Sequence, residues 1–241
     1  MSKKYRLIWF HHFHKAGGSS IVSAAQNHGE VFYPWHENGN PVDSSGNLIE
    51  LWDFDEKKLH EFVGECQQRG VTFVATEWGA PMFTVLQKDP RVTLVACVRN
   101  PVERMVSNFK YDYLNGYASH SDIRNYVNSG KAVRSTRYYS NMLAQNSNSQ
   151  EMDEFDLVVV LERNMGSLFE YFGWDEQGEV SNKTDFGVWK SVKYFLKLRW
   201  NLIYRRYWRY LEVSSQDVRW LTGELLDEQK VYEKIVKRWC D

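Results

Sequence analysis

At 241 residues and 43% hydrophobic, the chain is long enough for one large domain around a full core, and its formal net charge of −1 argues against polyanion binding by the protein as a whole. Its three cysteines, Cys66, Cys97 and Cys240, are odd in number and far apart, which excludes a disulfide framework and the close ligand spacing of a metal site. No apolar run of about 18 residues and no signal peptide stand out, so the expectation is a soluble protein of a reducing compartment, the cytoplasm.

Tyr5–Phe13 is nearly continuous in apolar character and predicts a strand buried on both faces. His14-Lys15-Ala16-Gly17-Gly18-Ser19-Ser20 follows, and Ser20–His28 predicts a helix. Strand, glycine-rich turn and helix together make a phosphate cradle. Glycines let backbone N–H groups reach the anion, and the helix N-terminus adds about half a positive charge. Ser19 and Ser20 are placed to cap the helix and to offer hydroxyls to the same oxygens, and Lys15 brings a full positive charge. In the Walker pattern the lysine ends the loop; here it precedes the glycines, so the cradle is P-loop-like but of another kind.

Glu30–Glu56 interrupts the alternation: seven acids, no lysine or arginine, and Trp35, His36, Trp52 and Phe54. It reads as an excursion near the acceptor side of a site, with a short hairpin around Ser45-Gly46-Asn47. Glu56–Arg69 then predicts a helix, Val71–Thr76 a strand, Val92–Val98 a strand, Pro101–Leu114 a helix, Leu157–Leu161 a strand and Asn164–Phe172 a helix. Lys190–Tyr210, with seven Lys/Arg among aromatic rings and no acid, predicts a long, partly buried helix, neither a nucleic-acid face nor a membrane face. Asp217–Trp239 predicts a closing helix. The alternation of strands and helices predicts an α/β three-layer sandwich with a central parallel sheet, one domain over residues 1–241. Ligands of such sheets sit beyond the carboxyl ends of the strands, where the first loop and the segments after Thr76 and Val98 would meet.

The segment after Val98 repeats the logic of the first loop. Asn100 is a good N-cap, Pro101 suits the first helical position and Glu103 completes a capping-box-like pattern. Arg99 then stands at the strand tip and Ser107 nearly two turns into the helix, a pair suited to a second phosphate, with the arginine as a bidentate fork. The alternative is that Arg99 pairs with a nearby carboxylate.

The two motifs together resemble the 5′-phosphosulfate loop and the 3′-phosphate motif of sulfotransferases that use 3′-phosphoadenosine 5′-phosphosulfate (PAPS). Asp156–Arg163 with Ser167-Leu168 and Phe172-Gly173-Trp174, and Leu226-Asp227 through Tyr232 and Trp239, are similar to a late strand and helix and to the closing helix of the carbohydrate-type branch. The resemblance spans nearly the whole chain. It implies in-line transfer of a sulfuryl group to a hydroxyl or amine, with no metal required. Lys15 and the backbone of Ala16, Gly17, Gly18, Ser19 and Ser20 would meet the departing phosphate, and Arg99 and Ser107 would clamp the 3′-phosphate.

A base must also take the acceptor's proton. In the cytosolic sulfotransferases a histidine follows the strand that ends in Thr; here Glu77 follows Thr76 and stands first as the base, with a pKa expected to be raised beside Trp78. His12 stands second. Strand alternation puts His12 and His14 on one face, with His11 on the other. The acidic, aromatic excursion points to a small polar, cationic acceptor; a carbohydrate acceptor is the alternative. The rival classes are a small-molecule kinase, which would want a late loop lysine and a strand-end Asp for Mg²⁺, and a nucleotide-binding module without turnover.

Overall fold

The computed structural model describes residues 5–119, 122–129, 132–146, 151–175 and 213–240. Strand β1 (Leu7–His12) leads into helix α1 (Gly18–Asn27). A two-stranded hairpin follows, β2 (His36–Glu37) and β3 (Asn40–Pro41), then α2 (Glu56–Gln68), β4 (Phe73–Thr76), α3 (Phe83–Leu86), β5 (Val92–Val98) and α4 (Pro101–Asn115). Next come α5 (Ile123–Val127), α6 (Tyr138–Asn146), β6 (Leu157–Val160), α7 (Met165–Phe172), α8 (Ser215–Glu224) and α9 (Leu226–Cys240).

β4, β1, β5 and β6 form one parallel sheet in that order, as the continuous apolar runs require of strands covered on both faces. The pleat divides β1 between two cores. Leu7 and Trp9 face α2, α3, α6 and α9 through Leu59, Phe62, Phe83, Tyr139 and Ile235. Ile8 and Phe10 face α1 and α7 through Ile21, Val22, Ala25 and Leu168. The result is the predicted three-layer α/β sandwich. A third cluster, Met105, Phe109, Tyr126, Leu221 and Leu225, joins α4, α5 and α8.

The excursion lies along the edge of β4. Thr72 and Phe73 donate their N–H groups to the Val31 carbonyl, and Ala75 donates to the Gly39 carbonyl at 2.9 Å, so the exposed edge of the sheet is paired. Asp43 closes the expected turn at Ser45–Asn47 by accepting from the Ser45 and Asn47 N–H groups, and Val42 bridges Leu48. The predicted closing helix is two helices, because the chain breaks at Leu225, the C-cap of α8. The predicted Lys190–Tyr210 helix lies outside the described residues. No helix among the described residues is long and apolar enough to cross a membrane. Cys66, Cys97 and Cys240 form no disulfide.

Candidate functional site

β1 is flanked by β4 on one side and β5 on the other, so the chain switches direction across the sheet at β1. That switch point is where open α/β sheets leave a crevice beyond their strand ends. The register is specific: His11 pairs with Thr76, His12 with Cys97, and Val98 with Val160. Residues 13–18, Glu77, Arg99 and Glu162 therefore emerge at one edge.

The first loop is tightly determined. Lys15 (φ 63°) and Gly17 (φ 85°) adopt left-handed backbone, which is uncommon for a residue that carries a Cβ such as lysine. A Cβ on Gly18 would lie 2.0 Å from the His12 ring, and one on Gly17 would lie 2.7 Å from Leu161 Cδ1, so the backbone runs directly over these side chains. Gly17 itself is the N-cap of α1; Ser19 and Ser20 fall inside the first turn and do not cap it, because the helix starts before the position predicted. The Ala16 N–H donates to the Phe13 carbonyl and the Ser20 N–H to the Gly17 carbonyl, both at 3.0 Å. The Gly18 and Ser19 N–H groups lie in the first turn of α1, where N–H groups have no intrahelical acceptor and make up the positive end of the helix dipole.

His12 and His14 share a face, as strand alternation predicts, and Glu77 joins them in one cluster. Glu77 Oε1 accepts from His14 Nδ1 at 2.7 Å, and Oε2 lies 3.4 Å from His12 Nδ1. The Glu77 N–H donates to Asn40 Oδ1 at 2.9 Å, so the excursion hairpin holds this strand tip. Burial pushes the Glu77 carboxyl up, but His12, His14 and Lys15 together outweigh it and hold it below the usual carboxylate value. The expected raised pKa is thus reversed: Trp78 is 53% exposed and does not seal the carboxyl, while two imidazoles and an ammonium surround it. His12 is 4% exposed, stacked on Phe10 and packed under Gly18. Burial lowers its pKa, Glu77 opposes, and His14 and Lys15 add to the fall. His11, on the opposite face, lies among Phe13, Phe83 and Phe155, and burial pushes its pKa down to about 3.

Lys15 Nζ stands 4.0 Å over the ring of Tyr111 on α4. Ser107 is one helical turn before Tyr111 and shares its face, so the second motif's serine lies on the side of α4 turned to the first loop. Arg99 is paired with carboxylates: Nη2 lies 3.5 Å from Glu103 Oε2 and Nε 3.4 Å from Glu162 Oε1. Its buried Nε makes no hydrogen bond. Among the described residues no hydrogen bond joins Arg99 to Ser107. Asn100 caps α4 as predicted, accepting from Val102 and Glu103, but the Glu103 carboxylate turns to Arg99 and does not close the box.

Two tyrosines unforeseen from the sequence fix both loops. The Tyr138 hydroxyl accepts the His14 N–H at 3.0 Å. The Tyr139 hydroxyl accepts the Arg99 N–H at 3.0 Å and donates to the Arg99 carbonyl at 2.7 Å. The Arg104 guanidinium covers both rings, 4.3 Å and 5.6 Å from their centroids. Buried Glu228 of α9 accepts the Tyr139 N–H at 2.6 Å and the Ser140 N–H at 3.0 Å, anchoring the start of α6. The adjacent Tyr-Tyr pair is the only sequence signal, and nothing local assigns its partners.

No protein-family model and no curated protein matches the chain. Among solved structures, it is similar to an unliganded sugar kinase of Janibacter sp. HTCC2649, at 15% identity and a TM-score of 0.42, over 75% of this chain and 100% of that one.

Proposed function

We propose that the protein is a PAPS-dependent sulfotransferase that moves a sulfuryl group to a hydroxyl or amine of a small polar, cationic acceptor. The observation that carries this reading is the meeting, at one sheet edge, of a left-handed Lys15–Gly17 loop opening onto a helix N-terminus and an arginine, Arg99, whose buried Nε lacks a hydrogen bond. The donor's groups fit these residues: the Gly18 and Ser19 N–H groups and Lys15 would hold the 5′ side, and Arg99, on exchanging Glu162 and Glu103 for a dianion, the 3′-phosphate. PAPS when bound supplies the sulfuryl group and a phosphate leaving group.

The chain's own residues do the rest. Lys15 and the start of α1 oppose negative charge that develops on the departing phosphate. Glu77, ionised between two imidazoles, orients the base side of the site. The cationic acceptor is supported by the acid-rich excursion, whose hairpin holds Glu77, and by the half-exposed rings of Trp35 and Trp78.

Isothermal titration with adenosine 3′,5′-bisphosphate, beside AMP and ATP with Mg²⁺, tests the reading. The expected result is binding of the bisphosphate at least tenfold tighter than AMP, lost in Arg99→Ala. Preference for ATP with Mg²⁺ would move the site to phosphoryl transfer.

A further inference from the structure

We propose that His14, oriented by Glu77, is the group that takes the acceptor's proton, so that the base is a histidine–carboxylate dyad built from the loops that follow β1 and β4. The inference rests on the sulfotransferase reading for its substrate, and on the geometry alone for the dyad.

Glu77 Oε1 sits 2.7 Å from His14 Nδ1. An ionised carboxylate there selects the Nδ1–H tautomer and leaves the lone pair on Nε2. Among the described residues His14 Nε2 has no hydrogen-bond partner, and the ring is partly open to solvent beside Trp78 (centroids 5.8 Å apart) and Tyr111 (6.4 Å). The His14 N–H is tied to the Tyr138 hydroxyl, so the ring is held from both its backbone and its Nδ1. Next in sequence is Lys15, the cation of the anion loop, which sets proton acceptor and phosphate side one residue apart.

Glu77 and His12, the two bases expected from sequence, fit less well. Both Glu77 oxygens are directed at imidazoles, and His12 is packed beneath Gly18. In the proposed step the acceptor's O–H proton passes to Nε2. Its bonding pair stays on oxygen and forms the O–S bond as the donor's S–O bond breaks, that pair leaving on phosphate. The imidazolium so formed is held by Glu77. The groups facing His14 are Glu77 just after β4, His12 from β1, Lys15 from the loop, Tyr111 from α4 and Tyr138 from α6.

The test is made on the free protein. Two-bond ¹H–¹⁵N correlation spectra of ¹⁵N-histidine protein should show His14 as the Nδ1–H tautomer, and Glu77→Gln should shift it toward Nε2–H. Diethyl pyrocarbonate, which acylates an unprotonated ring nitrogen, should modify His14 at least tenfold faster than His12, and bound adenosine 3′,5′-bisphosphate should slow that reaction. An Nε2–H tautomer in the unmodified protein, or faster modification of His12, overturns the proposal. If the bisphosphate does not bind while the tautomer and selectivity hold, the dyad stands and the sulfuryl-transfer reading falls.

Discussion

Tyr138 and Tyr139 are neighbours in α6, yet one hydroxyl holds the backbone of His14 and the other that of Arg99. The two loops proposed to grip opposite ends of one nucleotide are thus braced from one helix start. Removing either hydroxyl leaves a backbone N–H without its partner, at a cost of about 1–3 kcal/mol. Tyr138→Phe should weaken binding of AMP and of adenosine 3′,5′-bisphosphate alike, because it loosens the first loop. Tyr139→Phe should weaken only the bisphosphate. Titration calorimetry reads both; equal losses for both ligands in both variants would refute the division of labour.

Gly18 cannot carry a side chain while His12 is present. Gly18→Ala drives a methyl into the imidazole, and overpacking of this kind costs about 1–3 kcal/mol. The second variant His12→Ala clears the space, so the double mutant should be more stable than Gly18→Ala alone, a coupling of about 0.5–3 kcal/mol. Chemical denaturation of the four proteins measures it, and strict additivity would show that the loop moves away from His12.

Arg99 is held by the carboxylates that a phosphate must displace. Glu162→Gln keeps an oxygen for the Asn100 N–H and Tyr232 hydroxyl while removing the competing charge. It should tighten binding of adenosine 3′,5′-bisphosphate by up to about tenfold, or about 1.4 kcal/mol, and leave AMP unaffected. Arg99→Lys should not restore what Arg99→Ala loses, because a point charge cannot replace a planar fork. A Glu162→Gln variant that binds the bisphosphate more weakly would mean that Glu162 orients Arg99 for the ligand and does not compete with it.

What was legible in the sequence is what local patterning dictates. Continuous apolar runs placed β1, β4, β5 and β6, and Asn100-Pro101 placed the start of α4. The start of α1 was misjudged because a left-handed Gly17 caps a helix without any side chain. The state of Glu77 was not legible, since it depends on the parallel pairing of His11 with Thr76 that sets β4's tip beside His12 and His14. Nor was the bracing by Tyr138, whose partner lies 124 positions away in sequence. Charge state and bracing both arise from neighbours that only the sheet and the packing of α6 create.

His11 and His12 make stability depend on pH in a defined direction. Burial holds the His11 pKa at about 3 and depresses that of His12, against an ordinary value of 6.5. Below pH 6.5 the unfolded chain binds protons at these two rings more readily than the native one does, so stability falls as pH drops. Between about pH 6 and 5, before the carboxylates titrate, His11 contributes a slope of up to about 1.4 kcal/mol per pH unit. His11→Phe suits the surrounding rings of Phe13, Phe83 and Phe155, and Thr76 Oγ1 keeps the Trp9 indole as donor. That variant should lose about one proton's worth of slope while folding at pH 7. Urea unfolding at half-unit pH steps measures the difference, and a slope unchanged by His11→Phe would show that His11 is protonated in the native protein.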